Sequence, residues 1–484
     1  MLVPKSVTKY FAGMLLLLSA GCANMGSISP QSQLVQGAQV GIVDQAADRT
    51  PLPAGWPAKD WWLIFSDPQL NHLIDTAIAG SPDMRLAEAR VRMALQAEAI
   101  ARGGKGADIA LNGNATREKF SKTYIYPPPL GGSMITDARL AIDFTYDFDF
   151  WHKHDDVIAS AANQSKASQA QAESSKLILS VAVASTYGSL QRSFAELAFA
   201  QQRLTTQQQI VALLRTAAER GIEAKSAIEP SAATEADMQQ EIAAIQQQID
   251  LMRHQLAALA GLAPNALNDL SPQLLSLPAA MSLPRTLPAD FLGRRPDIVA
   301  QRYLVESATQ DIAAAKADFY PNVNLAAFVG LQSLGLSQLL QAGSTTFGVG
   351  PALHLPLFNA GTLRARLGAR YASYDAAVES YNQTVIDAVR DVADQTSRLN
   401  SFGIQLKAAA DNTTSLQRSA DASAERYRRG IASHLDVLDA QQSLLEQKQS
   451  TLALQDAQLQ ASLGLIKALG GGYVGPADMQ TSGN

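Results

Sequence analysis

The sequence predicts an α+β chain built twice over, with four strands long enough to cross a bilayer set among helices of unusual length. Three observations predict it. Short motifs recur at matching separations in the two halves of the 484 residues. Several segments alternate strictly between apolar and polar side chains. Long proline-free stretches carry apolar residues seven apart.

Composition removes several function classes. With 39 Lys+Arg against 44 Asp+Glu, a net charge of -5 and no basic block, binding to nucleic acid through its phosphates is excluded. The single cysteine makes no internal disulfide, and no Cys/His cluster has zinc spacing. The charged fraction is 17%, below the roughly 25% of soluble domains, with Ala, Gln and Ser filling the deficit. No apolar run approaches the about 20 residues of a membrane-spanning helix.

The chain opens with an address. Lys5 and Lys9 precede the apolar stretch from Phe11 to Leu18, followed by Ser19, Ala20, Gly21 and Cys22. A positive start, a short apolar core and small residues make a secretory signal over residues 1–21. The only cysteine sits where the lipobox of bacterial lipoproteins places its own, although Ser19 stands where Leu is usual. Cleavage would leave Cys22 to be acylated at the head of a linker, 22–60. Ala23 rather than Asp after it implies sorting to the outer membrane.

The mature chain then repeats itself. Ser81-Pro82-Asp83 and Arg295-Pro296-Asp297 each open a helical stretch, 83–102 and 297–318. Arg220-Gly221-Ile222 returns as Arg429-Gly430-Ile431, and Gly221 precedes Gly261 by the same interval that separates Gly430 from Gly470. The copies span 61–270 and 289–472, joined by a Pro-rich linker, 271–288, and followed by a tail, 473–484. After the first helix of each copy come strands. Leu140, Ile142, Phe144, Tyr146, Phe148 and Phe150 alternate with Ala141, Asp143, Thr145, Asp147 and Asp149. Val323 to Leu331 and Phe347 to Leu357 repeat the pattern, and Ile109-Leu111-Gly113-Ala115 gives a weaker version. Each strand approaches the ten or so residues that cross a bilayer, a pattern that an ordinary half-buried sheet would share.

Long helices follow, over about 152–219 and 361–429. Leu190, Leu197, Leu204 and Val211 are seven apart, as are Leu438, Leu445, Leu452, Leu459 and Ile466. Such narrow seams belong to coiled coils, and at 1.5 Å per residue each long helix reaches roughly 100 Å. Helices 83–102 and 223–260 together match 152–219 in length, so two short helices can run end to end beside one long helix. Lateral neighbours are then needed to cover the seams.

Three ordered blocks carry a family resemblance. Trp61-Trp62 with Phe65-Ser66-Asp67-Pro68-Gln69-Leu70 resembles the opening of TolC-type outer-membrane efflux proteins, in their lipoprotein (NodT-like) branch. Arg294 to Asp297 with the run Ala315 to Asn322 is similar to the second signature of that branch, and Arg429-Gly430-Ile431 with Asp436 to Asp439 is similar to the third. Tyr381-Asn382-Gln383 and Gly470 to Tyr473 look most like members paired with aromatic-acid or fusaric-acid exporters. The resemblance implies a homotrimer whose protomers each give four strands to one twelve-stranded outer-membrane barrel, continued by a long periplasmic helical barrel. It implies a passive exit duct of a tripartite small-molecule efflux pump, with a periplasmic adaptor and an inner-membrane pump of the RND or aromatic-acid type as partners. A protein-secretion duct and a coiled-coil envelope lipoprotein without a channel are the alternatives.

Candidate sites follow from the same blocks. Asp436 and Asp439 lie one turn apart, so both face one way. The resemblance places them, with Tyr427, at the periplasmic gate, where three copies make two acidic rings that favour cations. A solvated helix start is the plainer account of two Asp residues at such a position. Ala227 is the repeat equivalent of Asp436, and Ala432 stands where the family archetype has a basic residue. Arg428, Arg429 and Glu223 are therefore candidates for holding the gate closed. His152-Lys153-His154-Asp155-Asp156 reads as a polar strand-to-helix junction rather than a metal site, and Tyr124 to Gly132 as a strand connection. No nucleophile–base pair or phosphate loop marks an enzyme, and no cofactor is implied.

Overall fold

A computed structural model of the chain describes residues 25–35, 42–43, 56–123, 125, 127–273, 287–356 and 360–475. Cys22, Tyr124, Leu357 and most of the 271–288 linker and of the 473–484 tail lie outside these residues. In chain order the elements are β1 (Ile42–Val43), α1 (Pro68–Gly80), α2 (Pro82–Gly103), β2 (Asp108–Lys119), β3 (Met134–Asp147), α3 (Lys153–Glu219) and α4 (Ile228–Leu259). Then come β4 (Leu287–Pro288), α5 (Pro296–Ala317), β5 (Asn322–Leu334), β6 (Thr345–His354), α6 (Ala360–Arg428) and α7 (His434–Ala468). The order helix, two strands, long helix, shorter helix occurs twice. No described helix is long and apolar enough to cross a membrane.

The chain divides into two compact units. The first comprises Met1–Leu34, Val91–Ser168 and Gln301–Tyr381 and contains the four-stranded sheet. Its order is β2-β3-β5-β6, every pair antiparallel. The register sorts the side chains by face. Leu111 pairs with Ile142, Ile142 with Val329 and Val329 with Phe347, which makes one apolar row across all four strands. Asp108, Thr145, Ala326 and Gly350 make a row on the other face. There Arg139 pairs with Asp143 at 2.5 Å, Asn112 donates to the same carboxylate at 2.8 Å, and the Arg139 guanidinium lies 5.3 Å from the centre of the Phe328 ring. Phe347 is 80% and Val349 75% exposed, so no described residue covers the apolar face at β6. The outer edges of β2 and β6 carry no strand partner among the described residues.

The strands differ from the sequence expectation at their ends. β3 stops at Asp147, short of Phe148 and Phe150, because Asp149 takes φ 22° and its carboxylate turns to accept the backbone N–H groups of His154 (3.0 Å) and Asp155 (3.2 Å) at the start of α3. β6 stops at His354, before Leu355 and Pro356. Proline removes a ladder donor and restricts the residue before it. β2, the weakest pattern in the sequence, runs the full length from Asp108 to Lys119.

The second unit, Val35–Arg90, Gln169–Ala300 and Asn382–Asn484, buries its core around the Trp-rich block. Trp61 and Ile74 pack with Tyr187, Leu190, Leu256, Leu463 and Ile466. Two helix ends meet two helix starts here. The residues closing α4 abut the start of α2, and Gly261, at φ 70°, has no room for a Cβ, which would fall 2.5 Å from the Gly80 carbonyl oxygen. The residues closing α7 abut the start of α5 in the same way. Gly470 has φ 86°, and a Cβ there would fall 2.0 Å from the Arg294 carbonyl oxygen. Only glycine tolerates a left-handed backbone pressed against another backbone. That requirement explains the matching positions of Gly261 and Gly470 in the sequence.

Candidate functional site

The turn between α6 and α7 gathers the residues singled out for the gate. α6 closes with Gly430 N–H bonded to the Tyr427 carbonyl (2.9 Å) and Ile431 N–H to that of Arg426 (2.9 Å), which satisfies carbonyls the helix leaves open. α7 then starts from a reciprocal cap. The Ser433 hydroxyl accepts the Asp436 N–H at 3.2 Å, and the Asp436 carboxylate accepts the Ser433 N–H at 2.8 Å. Sequence reasoning missed this cap. The signal was present as Ser-x-x-Asp, although the usual form has Glu or Gln at the last position.

The two carboxylates differ in environment. The hydrogen bonds from the Ser433 backbone and hydroxyl, aided by Arg426, hold Asp436 below the usual carboxylate range. Partial burial, followed by the charge of Asp436, pushes Asp439 up. Both side chains are exposed in the protomer. Tyr427 is half-exposed and stacks on His434, with centroids 4.9 Å apart and planes 20° apart. Arg428 and Arg429 both turn back to Glu425, at 3.1 and 2.8 Å.

The equivalent turn after α3 is built differently. Ile222 N–H bonds the Ala217 carbonyl at 2.8 Å, but Ala224 offers no capping side chain. A short 3-10 turn, Lys225–Ala227, therefore replaces the first turn expected of a helix starting at 223. The two turns are alike in course and unlike in charge, since Ala227 takes the place of Asp436. Ile222 and Ile431 are exposed at their tips.

The signature blocks prove to be supports for the fold. Asp67 caps α1 by accepting the N–H groups of Gln69 (2.8 Å) and Leu70 (3.1 Å), and its second oxygen accepts the buried Tyr187 hydroxyl at 2.8 Å. Burial first, and then that carboxylate, push the Tyr187 hydroxyl far above the usual tyrosine range. Arg295 clamps Asp297 through two bonds and donates to the Ala468 carbonyl at 3.0 Å, closing the joint between α7 and α5. Replacing Asp67 by Ala should remove a cap and strand a buried hydroxyl, at a cost of about 2–4 kcal/mol. Tyr187→Phe keeps the cap and should cost about 1 kcal/mol. Thermal unfolding of the detergent-solubilised protein checks the order, and equal losses would refute a capping role.

At the strand-to-helix junction, Lys105 and His152 both approach Asp155, and Lys153 pairs with Asp318 at 2.7 Å. The lysine hydrogen bond, then that of His152, holds the Asp155 carboxyl below its usual range. The cluster behaves as a helix-start network of ion pairs and caps.

Comparison with known proteins bears on the family and the fold. The family model for outer membrane efflux proteins matches residues 73–262 and 287–471. A fusaric acid resistance protein, FusA of Burkholderia cepacia, is 37% identical over 366 residues, covering 74% of this chain and 68% of its own length. The multidrug resistance outer membrane protein MdtP of Escherichia coli is 30% identical over 465 residues, 94% of each chain. Among solved structures, the outer membrane protein VceC of Vibrio cholerae superposes with a TM-score of 0.79 at 32% identity, covering 86% of this chain and all of its own. The outer-membrane channel OprN gives 0.79 at 25% identity, covering 92% of this chain and 99% of its own. With an apolar-faced sheet of bilayer length joined to long seam-bearing helices, the chain belongs to the outer membrane efflux protein family and is an efflux channel of that membrane.

Proposed function

We propose that the chain works as a homotrimer, the passive exit duct of a tripartite efflux pump. The sheet carries this reading. Its four strands have one apolar face, one polar face and two open edges. Open edges are not tolerated in lipid, where every backbone group needs a partner. Three copies joined edge to edge remove all of them in a twelve-stranded barrel with its polar faces inward. The seam-bearing helices extend this barrel into a periplasmic tunnel, and energy is supplied from the inner membrane.

Cys22 carries the lipid anchor. Asp436 and Asp439, ringed by symmetry, and Tyr427 form the narrow periplasmic end. The exposed Ile222 and Ile431 at the two turn tips offer apolar contacts of the kind that mark protein interfaces, here for a periplasmic adaptor. The inner-membrane partner is a pump of the RND or the aromatic-acid and fusaric-acid class, the latter favoured by the relative named for fusaric acid resistance.

One experiment tests assembly and anchoring together. After growth with a radioactive fatty acid, the purified wild type should be labelled and should have the mass of a trimer by light scattering. Cys22→Ser should be unlabelled, trimeric and still in the outer membrane, since strands rather than acyl chains hold it there. A monomer with full strand content would overturn the barrel, and equal labelling of both proteins would overturn the anchor.

A further inference from the structure

The two copies of the fold cover their first helices unequally. α2 and α5 are each 22 residues long and begin at Pro82 and Pro296, so every position on one has a counterpart on the other. On α5, Ala300, Ser307 and Ala314 recur at a heptad interval and are all buried. Their counterparts on α2 are Leu86, Met93 and Ile100, which are larger, wholly apolar and open to solvent, Met93 at 71% and Ile100 at 76% exposure. An apolar seam at this interval is the mark of a helix with a helical neighbour.

The neighbour of the α5 seam lies within the chain. The Ser307 hydroxyl meets that of Ser160 on α3 at 2.9 Å, the Gln164 amide donates to Ser307 at 3.2 Å, and the Lys166 ammonium lies 5.2 Å from the centre of the Tyr303 ring. Ser160 and Ala167, two turns further along α3, are both buried. Aligning the turns at Gly221 and Gly430 makes Ala369 of α6 the counterpart of Ser160, and Ala376 that of Ala167. Both alanines are exposed. One junction is therefore complete within the protomer, while its repeat exists there as two uncovered halves.

We propose that the Leu86-Met93-Ile100 seam of α2 docks on the Ala369 and Ala376 face of α6 in a second copy of this chain, repeating between protomers the α5–α3 junction found within one. The inference rests on the homotrimer reading and deepens it by assigning the two surfaces that meet. Seam and alanine face are different surfaces of one protomer, so the contact is head-to-tail, and a rotation that closes it makes a ring. Side-chain sizes suit the pairing. Met93 and Ile100 project where Ser307 and Ala314 are short, and the alanines opposite leave them room to interdigitate. The junction within the chain is pinned by a pair of hydroxyls, whereas the one between copies gains from removing an apolar seam from water.

The test places cysteines at Met93 and Ala369, the counterparts of the touching Ser307 and Ser160. They are introduced into a Cys22→Ser chain, which is purified in detergent and oxidised with copper phenanthroline. A disulfide needs Cβ atoms about 4 Å apart, so it forms only where the two helices meet. On denaturing, non-reducing gels, Met93→Cys with Ala369→Cys should shift from monomer to covalent trimer, and each single variant should stay monomeric. Met93→Cys with Gln383→Cys, whose second site lies about 20 Å further along α6, should not shift. A trimer by light scattering that gives no disulfide, or gives it equally with Gln383→Cys, would overturn the docking and leave the trimer standing. A disulfide closed within one chain would overturn it as well. A monomer by light scattering would remove the trimer reading and this inference with it.

Discussion

Arginine in place of Val329 is expected to keep the protein out of the outer membrane. Val329 lies on β5, an inner strand of the sheet, between Ile142 and Phe347 in the apolar row. Its side chain is 53% exposed in the protomer, so lipid is its natural neighbour. A charge near the midplane costs about 2–4 kcal/mol per chain. Three chains raise that to about 6–12 kcal/mol for a trimer, comparable to the whole stability of a folded domain. Ala326→Arg makes the same chemical change on the opposite face, where Ala326 is exposed beside Thr145 and Gly350. That variant should insert and narrow the pore. Membrane fractionation with heat-dependent gel mobility separates the two. If both insert or both fail, the apolar face does not meet lipid.

The second large effect is expected at the periplasmic end. Asp436→Ala with Asp439→Ala should raise single-channel conductance in planar bilayers and lower the preference for cations, because up to six carboxylates around one axis are lost. Multivalent cations added from the periplasmic side should block the wild type and not the double variant. Acidification should act in two stages. Asp439, raised by burial and its neighbour, takes up its proton first, above the usual carboxylate range. Asp436, held down by its hydrogen bonds with Ser433, takes up its proton only at a lower pH. Selectivity should therefore fall in a first step while the cap of α7 is intact. The cap contribution has the opposite sign to the cost of ionising Asp439. It is present above the unfolded value of Asp436 and is lost as the pH falls through its lowered folded value. Unchanged conductance, selectivity and block in a folded trimer would return both residues to the role of an ordinary helix start.

Most of the architecture was legible because its elements carry clean periods. Alternation from Leu140 to Tyr146 marked β3, and proline-free stretches with apolar residues at helical spacing marked α3 and α6 to within a residue or two at each end. What escaped was set by contacts that no period encodes. Phe148 and Phe150 continue the alternation, yet the strand ends before them because Asp149 caps a helix. The helix expected from 223 starts at Ile228 because Ala224 cannot cap it. Asp67 was readable as part of a block, but its bond to Tyr187 joins residues far apart in the chain. Asp436 and Asp439 were assigned to a gate by resemblance alone, whereas the opposite shifts of their carboxyls depend on Ser433 and on burial that only the fold supplies.

The joints at Gly261 and Gly470 bear on how such a chain could arise. In each half, the last helix finishes against the start of the first. Each half is therefore a closed circuit whose own beginning and end are neighbours. A gene segment encoding one circuit can be copied in tandem at low conformational cost, because a linker need only step from one finished circuit to the next. By the same logic the halves could be cut and rejoined at these joints. A permuted chain opened at Gly470 would ask of Arg295 only that it hold Ala468 across a gap in the covalent backbone, and it already makes that bond without help from the chain.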